Sequence, residues 1–163
     1  MTSRLPPHGR LAGIDFGTVR VGIAVTDPDR VLASPLENYT RRGLAADAQH
    51  FRQLVAAERL VGLVVGLPVH VSGQESQKSQ EARAFGRWLE EVTGLPVEFY
   101  DERYSTAQAE SLLRSAELTK RRRKRRLDMV AAQQLLAAYL EATRRGPPEP
   151  LEDGGPAPVP RDR

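Results

Sequence analysis

The sequence predicts an α/β protein in which one mixed β-sheet is covered by helices on both sides. Three short strand-like stretches follow one another before residue 40, and this pattern is typical of an antiparallel meander. After them, segments with helical spacing alternate with short apolar runs, as in parallel strands joined by right-handed crossovers. A chain of 163 residues with 40% hydrophobic residues provides one core, so two full domains are not expected.

The first half of the chain provides four of the five predicted strands. Strands are predicted over 11–16, 20–26 and 31–39, with Gly17-Thr18 and Asp27-Pro28-Asp29 at the two turns. Apolar residues then recur at helical spacing over 44–60. The nearly all-apolar run 61–67 follows, and it predicts a strand that is buried on both faces.

The second half alternates helices with the last strand. A helix is predicted over about 75–93, with Gly94 as its cap and Pro96 beyond it. The fifth strand is predicted over 97–100. Ser105 with Gln108 forms a capping box for a helix through 116, and a long final helix is predicted over 127–143.

The ends of the chain lack these patterns. The last 18 residues, 146–163, contain six of the twelve prolines and three glycines, and we expect a disordered tail there. The first nine residues show no periodicity, so the folded unit is predicted over 10–145. No apolar run approaches the roughly 18 residues of a membrane span, and the chain has no cysteine. We therefore expect a cytoplasmic protein with no membrane partner, disulfide or thiolate metal site.

The positive charge of the chain is concentrated in one run. All seven residues from 120 to 126 are basic. Without them, 17 of the 24 basic residues remain against 21 acidic ones, a net charge of −4. Such a run repels itself unless a polyanion neutralises it, and this favours nucleic acid as the partner. A solvated linker or helix end is the alternative interpretation. The run consists of Lys120, Arg121, Arg122, Arg123, Lys124, Arg125 and Arg126.

Acidic residues mark two strand ends as candidate sites. Asp15 ends the first strand between Gly13 and Gly17, where a buried carboxylate needs hydrogen bonds or a metal. The alternative is an aspartate that caps the following turn. Asp101 and Glu102 follow the fifth strand, and strand alternation lets at most one of them face a shared site. Their alternative role is an ion pair with Arg103 on the surface.

A third acidic residue, Asp128, is predicted at the start of the final helix. It shares a helical face with Ala132, Leu135 and Tyr139, which predicts that it faces the sheet. The alternative is an acidic residue that favours a helix N-terminus.

Together these acids predict a metal site for hydrolysis. Carboxylate oxygens select Mg²⁺ or Mn²⁺, and two such ions stabilise the attacking and leaving oxygens of a phosphodiester displacement. We expect two ions with substrate bound. The three histidines have no zinc-type spacing, and the chain has no Walker loop and no nucleophile elbow.

Four motifs resemble the blocks of the bacterial YqgF family, also called RuvX, over about residues 11–140. This resemblance implies a ribonuclease-H-like fold with sheet order 3-2-1-4-5 and an antiparallel second strand. It implies a nuclease that processes the 5′ end of pre-16S rRNA in ribosome biogenesis, with Holliday junction resolution as the alternative. The motifs are GIDFGTVRVGIAVTD from Gly13, VGLPV from Val65 with Gly73 following, DERYST from Asp101 and LDMVAA from Leu127.

The resemblance also implies roles for individual residues. It places the acidic catalytic and metal-binding positions on Asp15, Glu102 and Asp128, with Asp101 the less favoured member of its pair. It assigns the orientation of phosphates or acids to Arg20, Arg103, Ser105 and Thr106, and the basic run could grip the nucleic-acid backbone. In contrast to related resolvases, the fourth strand ends in Gly66-Leu67-Pro68 without an acid. The fifth strand would lie two strand spacings, about 10 Å, from the first. The Glu102 side chain, together with the metal ions, would have to span that distance to meet Asp15.

Two other classes of function remain open. The Gly13–Thr18 motif also resembles the first phosphate loop of actin, sugar kinase and Hsp70-type ATPases. Those proteins bind ATP between two such domains, and 163 residues have room for only one, which disfavours this class. A non-catalytic module that docks on RNA would use the basic run without convergent acids. A resolvase would in addition be a two-fold homodimer, because two symmetric cuts need two sites.

Overall fold

A computed structural model describes residues 3–68, 77–102 and 120–144, with backbone alone at 102 and 120–128. The predicted helix over 105–116 and the predicted tail over 146–163 lie outside these residues. The strands are β1 (Arg10–Asp15), β2 (Arg20–Thr26), β3 (Ala33–Thr40), β4 (Leu60–Pro68) and β5 (Val97–Glu102). The helices are α1 (Leu44–Glu58), α2 (Gln77–Thr93) and α3 (Lys120–Arg144).

The five strands form one mixed sheet in the order β3-β2-β1-β4-β5, which confirms the predicted topology. The meander pairs β1 with β2 and β2 with β3 in antiparallel fashion. β4 then pairs with β1, and β5 with β4, both in parallel. Because β1 and β4 are central, both of their faces are buried, and this explains the continuous apolar run of β4.

Successive residues of β1 contribute to two different cores. Ala12 and Ile14 belong to the apolar cluster that includes Phe51 of α1 and Phe85 of α2. Leu11 belongs to the second cluster, with Leu136 of α3. The sheet therefore has an α1/α2 face and an α3 face, and the position of a residue along a strand decides which face it occupies.

The final helix begins earlier than predicted. α3 starts at Lys120 rather than at 127, so the basic run forms its first two turns. Lys and Arg are good helix formers, but they provide no apolar periodicity from which the sequence could reveal the start. Asp128 is consequently the ninth residue of α3, and the alternative of an acid at the helix N-terminus is wrong.

Other boundaries shift for local reasons. β3 begins at Ala33 rather than 31, because the Asp27 carboxylate accepts the N–H groups of Val31 and Leu32, both at 2.8 Å. These hydrogen bonds also lower the pKa of Asp27, with the bond from Leu32 as the largest cause. α2 ends at Thr93, and Gly94 caps it with φ of 70° and an N–H bond to the Glu90 carbonyl, as predicted.

Residues before Arg10 also pack against the sheet. Leu5 is buried in the α3 cluster, and the Ser3 hydroxyl donates to the Glu98 carboxylate at 2.8 Å. The packed unit thus includes part of the segment that the sequence pattern leaves out. A single leucine produces no periodicity, and the long-range contact that holds it is invisible in the sequence. None of the described helices is long and apolar enough to cross a membrane.

Candidate active site

Asp15 ends β1 at the carboxyl edge of the sheet, where open α/β sheets place their ligand sites. The strand register places Ile14 beside Val65 of β4, and Val65 beside Phe99 of β5. The next row along the sheet therefore contains Asp15, Gly66 and Tyr100. Glu102 lies two residues beyond Tyr100, at the same edge.

Successive residues of a strand occupy opposite faces of the sheet, so Asp101 and its neighbour Glu102 occupy positions on different faces. We call residues of one strand that share a face residues of the same parity. On β5, Val97 and Phe99 pack in the α1/α2 cluster. Glu98 and Tyr100 instead contact Tyr139 of α3, whose hydroxyl donates to the Glu98 carboxylate at 2.6 Å. Asp101 continues the first series and Glu102 continues the second. On β1, Asp15 has the parity of Leu11 and Gly13, which is also the parity of the α3 face.

The third acidic position, Asp128, lies near the end of β1 because α3 packs very close to that strand. A Cβ atom on Gly13 would lie 2.9 Å from the Leu136 Cβ and 3.0 Å from the Ala132 carbonyl oxygen. At the C-terminal end of α3, Arg144 donates to the carbonyls of Arg30 and Val31. These carbonyls belong to the β2–β3 turn, at the opposite edge of the sheet from Asp15. α3 therefore runs antiparallel to β1, with its N-terminal half towards the carboxyl edge.

Asp128 occupies the turn of α3 that precedes Ala132. One helical turn advances about 5.4 Å, and the two residues from Gly13 to Asp15 advance about 6.6 Å. Measured along the direction of β1, the backbone of α3 at Asp128 therefore lies about as far towards the carboxyl edge as Asp15 does. The first two turns, which contain the basic run, extend past that level.

A cavity of about 360 Å³ lies beside Asp15 at this edge. The β1–β2 turn forms one wall of it, and a Cβ on Gly17 would lie only 2.3 Å from the Arg20 carbonyl oxygen, so the turn requires glycine there. The end of β4 and the start of α2 form the rest. The lining residues are Asp15, Phe16, Gly17, Thr18, Gly66, Pro68, Lys78, Glu81 and Ala82.

Lys78 and Glu81 were not identified from the sequence. They add a cation and a carboxylate to the cavity that contains Asp15. Their position in the segment that follows β4 is the available signal, because residues just past a parallel strand lie at the ligand edge. Of the other predicted binding residues, Arg20 begins β2 and pairs with Thr40, also at this edge. Arg103, Ser105 and Thr106 lie outside the described residues.

The described side chains do not by themselves form a metal site. Within residues 3–68, 77–101 and 129–144, no three His, Asp or Glu side chains lie close enough to hold one ion. Asp15 belongs to this set, whereas for Glu102 and Asp128 the structure describes the backbone.

Solved structures with this fold include DNA resolvases. Thermus thermophilus RuvC in complex with Holliday junction substrate matches with a TM-score of 0.51 and 17% identity, over 85% of this chain and 97% of that one. The fowlpox virus resolvase with substrate Holliday junction DNA matches with a TM-score of 0.53 and 9% identity, over 81% and 97%. The chain thus has the fold of the resolvase class of ribonuclease-H-like proteins.

Comparison of sequences identifies the family. The model of the RuvX family, described as "Holliday junction resolvase", matches residues 9–142. A relative from Rhodopirellula baltica is 50% identical over 139 residues, 85% of this chain and 80% of its own length. One from Paracoccus denitrificans is 44% identical over 140 residues, 86% and 89%. Both are named "Putative pre-16S rRNA nuclease". The chain belongs to the RuvX family, as the sequence motifs predict.

Proposed function

We propose that this chain is a divalent-metal-dependent endonuclease that cleaves the precursor of 16S rRNA near its 5′ end. The observation that supports this most directly is the packing of α3 on Gly13, which brings the Asp128 position to the level of Asp15. Glu102 shares the strand parity of that face. The names of the RuvX relatives support the substrate.

In this proposal Asp15, Glu102 and Asp128 hold Mg²⁺ or Mn²⁺. The donor set fits such ions because it consists of carboxylates, and Asp15 already opens onto a cavity. A pair of divalent ions supplies charge stabilisation to the attacking and leaving oxygens of the phosphodiester. The three carboxylates also repel one another, so we expect weak ion binding until a phosphate arrives.

Cationic and hydroxyl side chains around the edge would bind the RNA backbone. Arg20, Arg103, Ser105 and Thr106 are proposed to orient the phosphates next to the acids. The basic run on the first two turns of α3 would bind phosphates farther along the strand. Because the substrate is ribosomal RNA, we place the protein in ribosome biogenesis and in the cytoplasm.

Holliday junction resolution is the second candidate function. It is favoured by the description of the family model and uses the same acids on branched DNA. It requires a two-fold homodimer, since the two cuts in a junction are related by symmetry. Gel filtration with light scattering in the presence of junction DNA tests this requirement.

Cleavage of end-labelled substrates with Mg²⁺ or Mn²⁺ tests the proposal. The substrates are a 5′ segment of precursor rRNA, a four-way DNA junction and plain duplex. Cleavage of the RNA at a defined position supports RNA processing, and preferential cleavage of the junction supports the second candidate. Binding of all substrates without any cleavage would overturn the nuclease and leave a binding module.

Neighbouring acidic residues provide a matched set of variants. We expect the cleavage rate to fall by at least about 100-fold in Asp15→Asn, Asp128→Asn and Glu102→Gln. Each substitution removes one carboxylate that would bind the two metal ions. Asp101→Asn changes the same charge one residue away, at a position of opposite parity, and should retain activity within a few-fold. Equal losses for Asp101→Asn and Glu102→Gln would contradict the assignment.

A further inference from the structure

Arg41 lies at the same edge of the sheet as the Asp15 cavity, on the α1/α2 face, and α2 also contributes to the wall of that cavity. It follows the last residue of β3, and its N–H donates to the Val19 carbonyl in the β1–β2 connection at 2.9 Å. Its guanidinium carbon lies 5.6 Å from the ring centre of Phe16 and 5.2 Å from that of Phe85. Phe16 follows Asp15 directly and lines that cavity, so the ring that Arg41 approaches is also part of the cavity wall.

A buried carboxylate fixes the orientation of this guanidinium. The Arg41 Nε–H donates to Asp47 Oδ2 at 3.2 Å, and Asp47 is fully buried. The Oδ1 atom of Asp47 accepts the Tyr39 hydroxyl at 2.6 Å and the Arg42 N–H at 2.9 Å. With its inner edge on Asp47 and the rings of Phe16 and Phe85 nearby, the guanidinium is held in a defined orientation before any ligand binds.

The outer edge of the guanidinium remains available. A guanidinium has five N–H donors, and among the described residues only Nε–H of Arg41 has an acceptor. The Arg41 side chain retains 23% exposure, whereas the Asp47 side chain beneath it has none, so part of the arginine remains open to solvent. The two terminal nitrogens form a planar fork that matches two oxygens of a phosphate.

We propose that Arg41 is a preoriented phosphate-binding residue that holds the nucleic-acid backbone at the rim of the Asp15 cavity. The identity of the ligand as nucleic acid rests on the proposed nuclease function. Lys78 lines the same cavity, two helical turns before Phe85 on α2. The substrate strand then crosses the carboxyl edge between Arg41 and Lys78 on one face and the basic run of α3 on the other.

The test measures binding of a fluorescently labelled 5′ segment of precursor rRNA, without divalent ions, over a range of salt concentrations. For Arg41→Gln we expect about tenfold weaker binding and a log–log salt slope shallower by about 0.7 to 0.9, since one phosphate is no longer neutralised. The adjacent and exposed Arg42 provides the matched control. Arg42→Gln removes the same charge and should bind within about twofold of the wild type. Equal losses for the two variants would overturn the proposal.

A second variant tests the geometry of the fork. Arg41→Lys keeps the charge but provides no planar pair of donors. We expect it to fold with a melting temperature close to that of the wild type, to keep the salt slope and to bind about three- to fivefold more weakly. Wild-type affinity for Arg41→Lys would overturn the phosphate fork, even if Arg41→Gln fails to fold.

The outcomes separate this proposal from the nuclease proposal. If no substrate is cleaved but Arg41→Gln weakens RNA binding as described, the phosphate site stands without the nuclease. If the wild type cleaves RNA and Arg41→Gln binds normally, the nuclease stands and the phosphate site is overturned.

Discussion

Asp47 is a fully buried residue that keeps its charge in the folded protein. Burial raises the pKa of this carboxyl, but the Arg42 N–H, the Tyr39 hydroxyl and Arg41 outweigh that effect, so the net pKa is lowered. The same contact stabilises the protonated phenol of Tyr39. Burial, followed by the hydrogen bond to Asp47, raises the pKa of Tyr39 to about 12.

Replacement of Asp47 should therefore have a pH-dependent effect on stability. At pH 7 we expect Asp47→Asn to lose about 2 kcal/mol of unfolding free energy, because charged hydrogen bonds to three donors are weakened. The folded pKa lies below the unfolded value of about 3.9, so the contribution of Asp47 is present above that value and is lost as the pH falls through the folded pKa.

Urea unfolding of both proteins, from pH 7 down to about pH 3, measures this difference. The gap between wild type and Asp47→Asn should narrow in acid. A gap of constant size across the range would contradict this prediction, because it would show that the loss of stability does not depend on the charge of the Asp47 carboxylate.

The docking of α3 on β1 is the contact between elements on which the candidate site depends most. Gly13 permits it, because a Cβ there would meet the Ala132 carbonyl and the Leu136 Cβ, and neither can rotate away. Gly62 on β4 provides a useful comparison. A Cβ on Gly62 would lie 2.7 Å from Leu5 Cδ2, the far end of a flexible side chain.

Gly13→Ala should displace α3 and move the Asp128 position away from Asp15. We expect a loss of about 1–3 kcal/mol in unfolding free energy, together with a loss of cleavage in the folded fraction. Gly62→Ala should lose less stability and keep its cleavage rate, because Leu5 can move. Thermal unfolding and cleavage assays on both variants test this, and an active Gly13→Ala protein would contradict the role of the close packing.

At the scale of the whole molecule, positive charge is gathered at one end of α3. The run of seven cations occupies the first two turns, whereas the rest of the chain is net negative. Such an arrangement attracts a polyanion to the carboxyl edge and repels it from the remaining surface. Under the proposed function, this charge distribution would orient nucleic acid before any specific contact forms.

Neutralisation of this run should weaken RNA binding in a salt-dependent manner. For the triple variant Lys120→Gln, Arg122→Gln and Lys124→Gln, we expect a shallower salt slope, by about 0.7 to 0.9 for each phosphate that is no longer neutralised. Cleavage at saturating substrate should persist, because the acidic positions are unchanged. Fluorescence titration over a salt series measures the slope.

The control replaces three exposed arginines elsewhere, Arg4, Arg59 and Arg87, with glutamine. It changes the net charge equally and should leave the slope nearly unchanged. If both triple variants lower the slope by the same amount, net charge alone governs binding.

From the sequence by itself, alternation and apolar runs predicted the mixed sheet, because they are local signals. The resemblance carried by the four motifs implied the strand order and the family. It also singled out Asp15, Glu102 and Asp128 as candidates, although their side-chain roles remain a prediction. The start of α3 was missed because helical Lys and Arg have no apolar period, and the packing of Leu5 because a lone leucine shows no pattern.

The tertiary structure alone decided which positions share a face and an edge. Register across three strands gave Glu102, rather than Asp101, the parity of the α3 face. The approach of α3 to Gly13 set the level of Asp128, and the contacts of Arg41 with Phe16 and Phe85 join segments far apart in the chain. Such contacts depend on packing between distant residues, and the local preferences of a chain do not encode their geometry.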